Sequence, residues 1–288
     1  MEGFYMQKRV LTKQLLEAFY EKLKQDEKSK NTIEKYTRDT MRFFAFIGDR
    51  EVTKELVLSY KQNLLCDSKS YADRSINSML VSVNCLLDFL SWTDCRVKTL
   101  KIQQEAFTSE DKELTKEEFD RLVTTAYRTG KERIALIIQT ICGTGIRVSE
   151  LSFITVEAAQ SGEATVHCKG KIRKIFIVKK LRKLLVSYAK KNRIQSGSIF
   201  LGTTGQPIRR TTVWREMKNL CQVAGVKATK VFPHNLRHLF ARVYYKLHKD
   251  IAKLADILGH SSVNTTRIYI ISSGEEHRRD MERMRLII

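Results

Sequence analysis

The chain has 288 residues, of which 42% are hydrophobic and 29% charged, and its formal net charge is +20. This composition is typical of a soluble globular protein long enough for two domains, and it argues against an integral membrane protein. Such a charge predicts a polyanionic partner, most commonly nucleic acid, although a lysine-rich surface without a partner is the alternative.

Cysteine spacing and the N-terminal residues indicate the compartment. The six cysteines are scattered without a CxxC pair, and no histidine stands at metal-ligand spacing. Neither a disulfide framework nor a zinc site is therefore expected. Residues 1–13 lack the apolar core of a signal peptide, and no apolar run approaches the roughly 18 residues of a membrane span. We expect a cytoplasmic protein.

Residues 1–95 are predicted to form an all-helical N-terminal domain, because four apolar stripes at helical spacing run through them with almost no strand signal. The second stripe follows Asn31, and Glu34 stands three residues on, as in a capping box. Residues 1–100 hold 17 Lys+Arg and 14 Asp+Glu, so their net charge is only +3. The polar faces carry candidate phosphate-backbone contacts, although single residues of this kind are more often only solvated: Lys35, Arg38, Arg42, Arg74 and Asn77.

Helical periodicity fades after Thr93, and we assign residues 96–113 to a linker. A second domain is predicted over residues 114–288, and it begins with a capping box formed by Thr115 and Glu118. The Ile-rich segment 133–142 predicts the central helix of this domain.

The motif GTGIRVSEL follows the central helix at residues 143–151. Its glycines end that helix and place Arg147 at the start of the next short helix, where Glu150 can orient the guanidinium. An arginine held in this way presents a fixed fork of donors that suits phosphate. A salt bridge at a helix start is the alternative.

A β-hairpin is predicted next, because residues 164–168 and 175–178 favour strands and flank the basic turn KGKIRK. From Lys169 to Arg193 there are 11 Lys+Arg and no acidic residue, and residues 101–288 carry a net charge of +17. A run without countercharge is typical of a nucleic-acid surface. Lys169, at the strand end, can reach a neighbouring site, and the hairpin offers further DNA contacts: Lys171, Arg173 and Lys174.

Helices are predicted at residues 181–191 and 211–223, and again from Pro233. The last of these carries the apolar positions Leu236, Phe240, Val243 and Leu247. The predicted fold class is therefore mainly α: an all-helical N-terminal domain and an α+β second domain with a small antiparallel sheet.

The helix from Pro233 brings His234 and Arg237 onto one face at its N-terminus, which favours an anion. A second helix at residues 251–258 stops at Gly259 and is followed by His260. Ser261 or Ser262 caps a third helix, which carries Tyr269.

A lone histidine or tyrosine is more often structural, but this combination in a strongly basic segment matches phosphodiester chemistry. Two arginines would neutralise the non-bridging oxygens. A tyrosine is a weak nucleophile with a pKa near 10, and a cationic site helps it to ionise. His234 would accept the phenolic proton, His260 would donate to a phosphoryl oxygen, and Lys169 would protonate the departing sugar oxygen. No carboxylate cluster suits magnesium, so the cations are expected to be side chains.

Three motifs, GTGIRVSEL, HNLRHLFA and LGHSSVNTTRIY, resemble in order and spacing the boxes of the tyrosine recombinases, the phage-integrase and Xer-like family. The helix SINSMLVSVNCLLDFL at residues 75–90 is similar to the family's SAM-like core-binding domain. The resemblance implies a 3′-phosphotyrosyl intermediate, a Holliday junction and no cofactor or metal. It assigns the catalytic residues Arg147, Lys169, His234, Arg237, His260 and Tyr269, with Glu150 supporting Arg147.

The partners that the resemblance implies are double-stranded DNA with specific recombination sites, a homotetramer on that DNA and accessory DNA-bending proteins. Leu239 stands where the family often has Thr or Ser, and Lys171 and Lys174 compete with Lys169 as the hairpin lysine. The apolar residues at 281–288 are expected to dock on this subunit or another. A type IB topoisomerase with the same chemistry and a DNA-binding regulator without chemistry are the alternative functions.

Overall fold

The computed structural model describes residues 8–66, 71–102, 112–168, 171–269 and 281–284. These residues form twelve α-helices and one two-stranded antiparallel sheet, and the chain divides into two compact units between Gln104 and Glu105. The predicted fold class, mainly helical with a small antiparallel sheet, is confirmed. Within the described ranges, no helix has the length and apolar character needed to cross a membrane.

The first unit consists of four helices around one apolar core. They are α1 (Lys13–Gln25), α2 (Lys30–Ile47), α3 (Lys54–Cys66) and α4 (Asp73–Phe89), followed by a 3₁₀ turn at Thr93–Cys95. The helical stripes recognised in the sequence point inward, and their largest fully buried members are Phe19, Phe43 and Tyr60. Because a helix with one apolar stripe must bury it, four such stripes close on a common core.

Helix α2 is capped two residues before the predicted cap, Asn31, and begins at Lys30. Ser29 is its N-cap, and the Ser29 side chain accepts a hydrogen bond from the backbone N–H of Thr32. Serine and asparagine are about equally good caps, so spacing alone could not choose between them. The capping box expected from Asn31 and Glu34 was wrong.

The first residues of the predicted linker pack against the first unit. Val97 is only 4% exposed, and its backbone N–H and C=O are both bound by the side-chain amide of Asn84 at 3.0 and 2.8 Å. Asn77 holds the backbone of Leu100 in the same way, at 2.6 and 2.9 Å. A side-chain amide has a donor on one side and an acceptor on the other, so it can bind an extended backbone as a neighbouring strand would. Helical periodicity does not reveal contacts of this kind.

The second unit is built around a buried helix. Its elements are α5 (Lys116–Arg128), α6 (Glu132–Thr144), a 3₁₀ helix (Val148–Phe153), α7 (Val156–Ser161), β1 (Glu163–Cys168), β2 (Lys171–Phe176), α8 (Lys179–Lys191), α9 (Arg210–Ala224), α10 (Pro233–His248), α11 (Ile251–Leu258) and α12 (Val263–Arg267). Helix α6 is buried along most of its length, as expected for the central helix. The capping box of Thr115 and Glu118 at the start of α5 is also confirmed.

The hairpin is tighter than predicted. Strand β2 starts at Lys171, so that only Lys169 and Gly170, which lie outside the described residues, separate it from β1. The register pairs Glu163 with Phe176 and Cys168 with Lys171. The basic residues 171–174, which we predicted to form a turn, therefore belong to β2. Pairing with β1 satisfies their backbone N–H and C=O groups whatever their side chains are.

Helix α10 buries only part of the predicted stripe. Leu236, Leu239 and Ala241 are buried, whereas Val243 is 41% and Leu247 is 73% exposed. The N-terminal half of α10 packs on α6, and the described residues leave an apolar strip open along its C-terminal half.

Candidate active site

The end of α6 and the start of α10 approach each other closely at Gly145. This glycine has φ of +67°, and an added Cβ would lie 2.6 Å from the ring of Phe240. A left-handed conformation and this lack of space both favour glycine. The carbonyl of Gly145 accepts a hydrogen bond from Arg237 Nη1 at 2.6 Å, so the turn also positions an arginine.

Arg237 is the centre of the site and is only 1% exposed. Its Nη2 donates to the carbonyl of Leu258 at 2.7 Å and lies 2.9 Å from His260 Nε2. Burial and the neighbouring Arg147 lower the pKa of Arg237 to about 10, which leaves the guanidinium charged at neutral pH. Arg237 Nε is buried and has no hydrogen-bond partner among the described residues. A buried donor of this kind is suited to an anionic oxygen.

Arg147 and Glu150 form the expected pair at the start of the 3₁₀ helix. Glu150 Oε1 accepts from Arg147 Nη1 at 3.1 Å, and Glu150 Oε2 accepts from the backbone N–H of Arg147 at 2.8 Å. Glu150 is 2% exposed, whereas the Arg147 side chain is 39% exposed. The carboxylate therefore fixes the arginine from inside while leaving part of the guanidinium accessible.

His260 has both ring nitrogens engaged within the protein. Nδ1 lies 2.8 Å from Thr266 Oγ1, and Nε2 faces the Arg237 guanidinium. Since arginine can only donate, Nε2 is the acceptor, and Nδ1 carries the proton that it donates to Thr266. Burial, reinforced by Arg237 and Arg147, lowers the pKa of His260 to about 4. Donation to a phosphoryl oxygen, as expected from the sequence, would require Nε2 to leave Arg237 and gain a proton.

Tyr269 follows α12 in a turn and is 7% exposed. Its ring centroid lies 5.3 Å from that of His234 and 5.1 Å from that of His260. The Arg237 guanidinium carbon lies 6.0 Å from the Tyr269 ring centroid. The structure thus brings the predicted nucleophile, both predicted histidines and Arg237 together within one chain.

His238 is a site residue that the sequence analysis missed. Its ring stacks on Tyr269 with centroids 4.1 Å apart and an interplanar angle of 25°, and it meets His234 edge-on at 4.7 Å. Burial, with smaller effects of His234 and Arg237, lowers the pKa of His238 to about 4. The available signal was its position four residues after His234, which places both rings on one face of α10.

His234 lies at the exposed N-terminus of α10. Partial removal of its ring from water lowers the pKa of His234 below the ordinary value, and the positive charges of Arg237 and Arg147 lower it further. A neutral imidazole beside the phenol is the form that can accept a proton.

The hairpin lysines and arginine have different environments. Lys169 lies outside the described residues, and nothing is described of the Lys171 side chain. Lys174 is exposed and pairs with Glu163 at 2.8 Å. Arg173 points inward, its side chain only 12% exposed, and binds Glu150, so its predicted role as a DNA contact does not fit this position.

The predicted DNA contacts of the first unit also separate into two kinds. Lys35 is bound to buried Asp39, Ser78 and Ser82 at 2.8 Å in each case, which makes it part of an internal polar network. The Arg38 side chain is 71% exposed, and Arg74 is exposed. Arg42 is exposed as well, so Arg38, Arg42 and Arg74 remain candidates for contacts with a phosphate backbone.

Among the described residues, no group of three or more His, Cys, Asp or Glu side chains is arranged to hold a metal ion. The cationic groups that the described part of the site offers are Arg147, Arg173 and Arg237.

We expect the folded protein to lose stability as the pH falls from about 6.5 to 4, because the pKa values of three histidines lie below the ordinary value in the fold. The unfolded chain then binds more protons in this window, which favours unfolding. His238→Gln should reduce the loss in unfolding free energy between pH 7 and pH 5 by about 1–2 kcal/mol. Chemical denaturation at the two pH values measures this effect, with His167→Gln at an exposed position of β1 as the control. An unchanged pH dependence in His238→Gln would contradict the pKa assignment.

Comparisons with known proteins identify the family of the chain. Residues 112–276 match the phage integrase family, and residues 16–94 match the phage integrase N-terminal SAM-like domain. The chain is 31% identical over 291 residues to tyrosine recombinase XerA of Pyrococcus furiosus, with 98% of each chain covered. It is also similar to a crystal structure of XerA recombinase at 25% identity, with 96% of this chain and 100% of that chain covered and a TM-score of 0.54.

A crystal structure of a lambda integrase tetramer bound to a Holliday junction has the same fold, with a TM-score of 0.68, 17% identity and coverage of 89% of this chain and 76% of that chain. The family match covers more than half of the chain, and the XerA relative covers nearly all of it. The chain belongs to the phage integrase family and is a site-specific tyrosine recombinase, an enzyme that catalyses DNA strand exchange.

Proposed function

We propose that Tyr269 cuts double-stranded DNA at specific recombination sites and that the chain completes strand exchange without a nucleotide cofactor or a metal. The observation that carries the proposal is the position of Tyr269 beside Arg237, His234, His238 and His260 of its own chain. The phenol thus lies beside imidazoles that can accept a proton and beside a guanidinium that can bind phosphate.

In the proposed first step the Tyr269 oxygen forms a bond to the scissile phosphorus, and the bond from phosphorus to the 5′-oxygen breaks. His234 accepts the phenolic proton, and Lys169 supplies a proton to the departing 5′-oxygen. The product is a 3′-phosphotyrosyl link with a free 5′-hydroxyl. Attack by the 5′-hydroxyl of a partner duplex releases Tyr269 and rejoins the strands, so the bond energy is retained throughout.

The arginines would neutralise the charge that develops on the non-bridging oxygens. Arg237 offers its unpartnered Nε, and Arg147 offers the accessible part of its guanidinium. Donors that are already oriented before the reaction stabilise the transition state without further reorganisation. We assign His260 to orienting Arg237, because Nε2 accepts from that guanidinium.

We further propose that residues 1–95 form a core-binding domain for DNA and that residues 114–288 form the catalytic domain, with residues 96–113 between them. In the first unit, the exposed Arg38 and Arg74 are suited to phosphate contacts, whereas Lys35 stabilises the fold. Because the substrate is DNA, the proposal includes a cytoplasmic location. Accessory DNA-bending proteins become additional partners if purified protein cleaves its site but does not recombine it.

The proposed assembly on DNA is a homotetramer joined by the apolar residues at 281–288. The second unit has an apolar groove of about 410 Å³ between α5, α6, α8 and α10. Val243 and Leu247 of its lining are exposed, and so are Met281 and Met284 of the tail. Burial of a neighbour's tail in this groove would cover both apolar surfaces, and head-to-tail contacts of this kind close into a ring.

We expect deletion of residues 275–288 to leave binding to a single DNA site within about twofold and to abolish synaptic complexes and recombination. The deleted segment holds four basic and four acidic residues, so its removal does not change the net charge that attracts DNA. Leu247→Lys should have the same effect from the groove side, and Leu247→Met is its control. Gel-shift assays and cross-linking on paired sites measure both steps. Wild-type synapsis by the truncated chain would place the tail in the core of its own subunit instead.

The test of the proposed function is the covalent intermediate itself. Protein expressed in cells and denatured rapidly should carry DNA covalently attached through Tyr269, and sequencing of the attached ends would identify the recombination site. A duplex nicked beside that site should then trap the purified protein, because the short 5′-fragment diffuses away before rejoining. A DNA-binding regulator would give no covalent product. A type IB topoisomerase would relax supercoiled plasmids that lack the site.

A further inference from the structure

The side chains of β2 alternate between exposed and inward positions. Arg173 occupies an inward position although it is charged. Its neighbours Ile172 and Lys174 are exposed, whereas Arg173 shares the inward face of β2 with Ile175. Nη1 donates to the carbonyl of Ile257 at 2.5 Å, and Nη2 donates to Glu150 Oε2 at 2.5 Å. Both ends of the guanidinium fork are therefore occupied by protein groups.

These contacts join three segments of the active site. Glu150 belongs to the 3₁₀ helix that begins after Arg147, Ile257 belongs to the end of α11, and Arg173 belongs to the hairpin. The chain also passes close to Arg173 at Gly259, where an added Cβ would lie 2.6 Å from Arg173 Cδ. His260, which contacts Arg237, is the next residue. Arg173 thus connects Glu150, which holds Arg147, with the segment that carries His260, which contacts Arg237.

Glu150 is shared between two guanidinium groups. Its Oε1 binds Arg147, while its Oε2 binds the Arg147 backbone and Arg173. Without Arg173, Oε2 would keep only the backbone N–H of Arg147 and could also accept from a second nitrogen of the Arg147 guanidinium. A carboxylate that pairs fully with an arginine competes directly with phosphate for the same fork of donors.

We propose that Arg173 is a positioning residue that holds Glu150 so that Arg147 keeps an uncompensated charge for the scissile phosphate. Arg173 does not itself contact DNA, because its two terminal nitrogens bind Glu150 and the Ile257 carbonyl. Its role is to pair with the negative charge of Glu150 and to hold β2 against Gly259, the residue between α11 and His260. This inference rests on the proposed function of Arg147.

The test is the single-turnover rate of covalent-complex formation on a nicked duplex. Arg173→Met should slow this step by about 10- to 100-fold, as expected for a small displacement of a catalytic group, with DNA affinity within about threefold. Ile172→Gln, at an exposed position of the same strand, is the control and should react within about threefold of wild type. A wild-type rate for Arg173→Met would overturn the proposal.

A double-mutant cycle with Glu150→Gln tests whether Arg173 acts through the carboxylate. The double variant should be about as slow as the slower single variant, since the second change has no partner left to disturb. Independent effects that multiply would overturn the proposal. Arg173→Lys keeps the charge but cannot bridge both acceptors, so it should remain slow. If Arg173→Met does not fold, Arg173→Lys alone tests the proposal. A wild-type rate for Arg173→Lys would show that the bridge between Glu150 and the Ile257 carbonyl is unnecessary.

A neutral substrate separates this role from a general loss of structure. A methylphosphonate at the scissile position lacks one negative oxygen and depends less on the charge of Arg147. The deficit of Arg173→Met should therefore shrink to within about threefold on this substrate. A deficit of the same size on both substrates would rule out action through Arg147. Failure of the wild-type protein to form any covalent complex would instead contradict the proposed function.

Discussion

Tyr269→Phe is expected to bind its DNA site as the wild type does and to form no covalent complex. The change removes only the attacking oxygen, and the phenylalanine ring can retain the stack on His238 and the contacts with His234 and His260. We expect a loss of cleavage of more than about 10⁴-fold, because no neighbouring group replaces a covalent nucleophile. Gel-shift assays measure binding, and denaturing gels with a nicked duplex measure the protein–DNA adduct.

Tyr244→Phe is a matched control for this experiment. Tyr244 belongs to the same unit and contacts Phe240 and His248 on α10, and its hydroxyl has no role in the proposed mechanism. This variant should form the adduct at the wild-type rate. Cleavage by Tyr269→Phe would assign the nucleophile to another residue and would leave the ring cluster around Tyr269 as a structural element.

Lys169→Ala is expected to cleave an ordinary phosphodiester about 10²- to 10⁴-fold more slowly than the wild type, because the 5′-oxygen then departs without a proton. A substrate with sulfur at the 5′-bridging position should restore the rate, since a thiolate is a good leaving group without protonation. The assignment of Lys169 rests on the family resemblance and on its place between β1 and β2. The measurement is the single-turnover cleavage rate on the two substrates.

Lys171→Ala and Lys174→Ala are the controls for the leaving-group experiment. Lys174 is exposed and paired with Glu163, so its loss should leave cleavage nearly unchanged. If the sulfur substrate rescues Lys171→Ala or Lys174→Ala and not Lys169→Ala, the general acid lies further along the hairpin. If it rescues none of them, proton donation to the leaving group does not come from this hairpin.

Local sequence determined most helix positions and ends in this protein. The capping box of Thr115 and Glu118, the left-handed Gly145 and Gly259 and the Ser262 cap all occur where residue type and spacing predicted them. These signals act within one turn of helix, so no knowledge of distant residues is needed to recognise them. The order of the three motifs in the chain likewise indicated the family before any geometry was known.

Tertiary structure decided which polar groups are buried and what they bind. Arg237 meets the carbonyl of Gly145 across 92 residues of sequence, and Arg173 meets Glu150 across 23. No local rule distinguishes an inward Arg173 from its exposed neighbour Lys174, because the choice depends on where strand pairing places each side chain. His238 was overlooked for the same reason: its stack on Tyr269 exists only because α12 returns the chain to the start of α10. Spacing along the chain specifies the faces of single elements, whereas burial and long-range hydrogen bonds depend on how the elements pack.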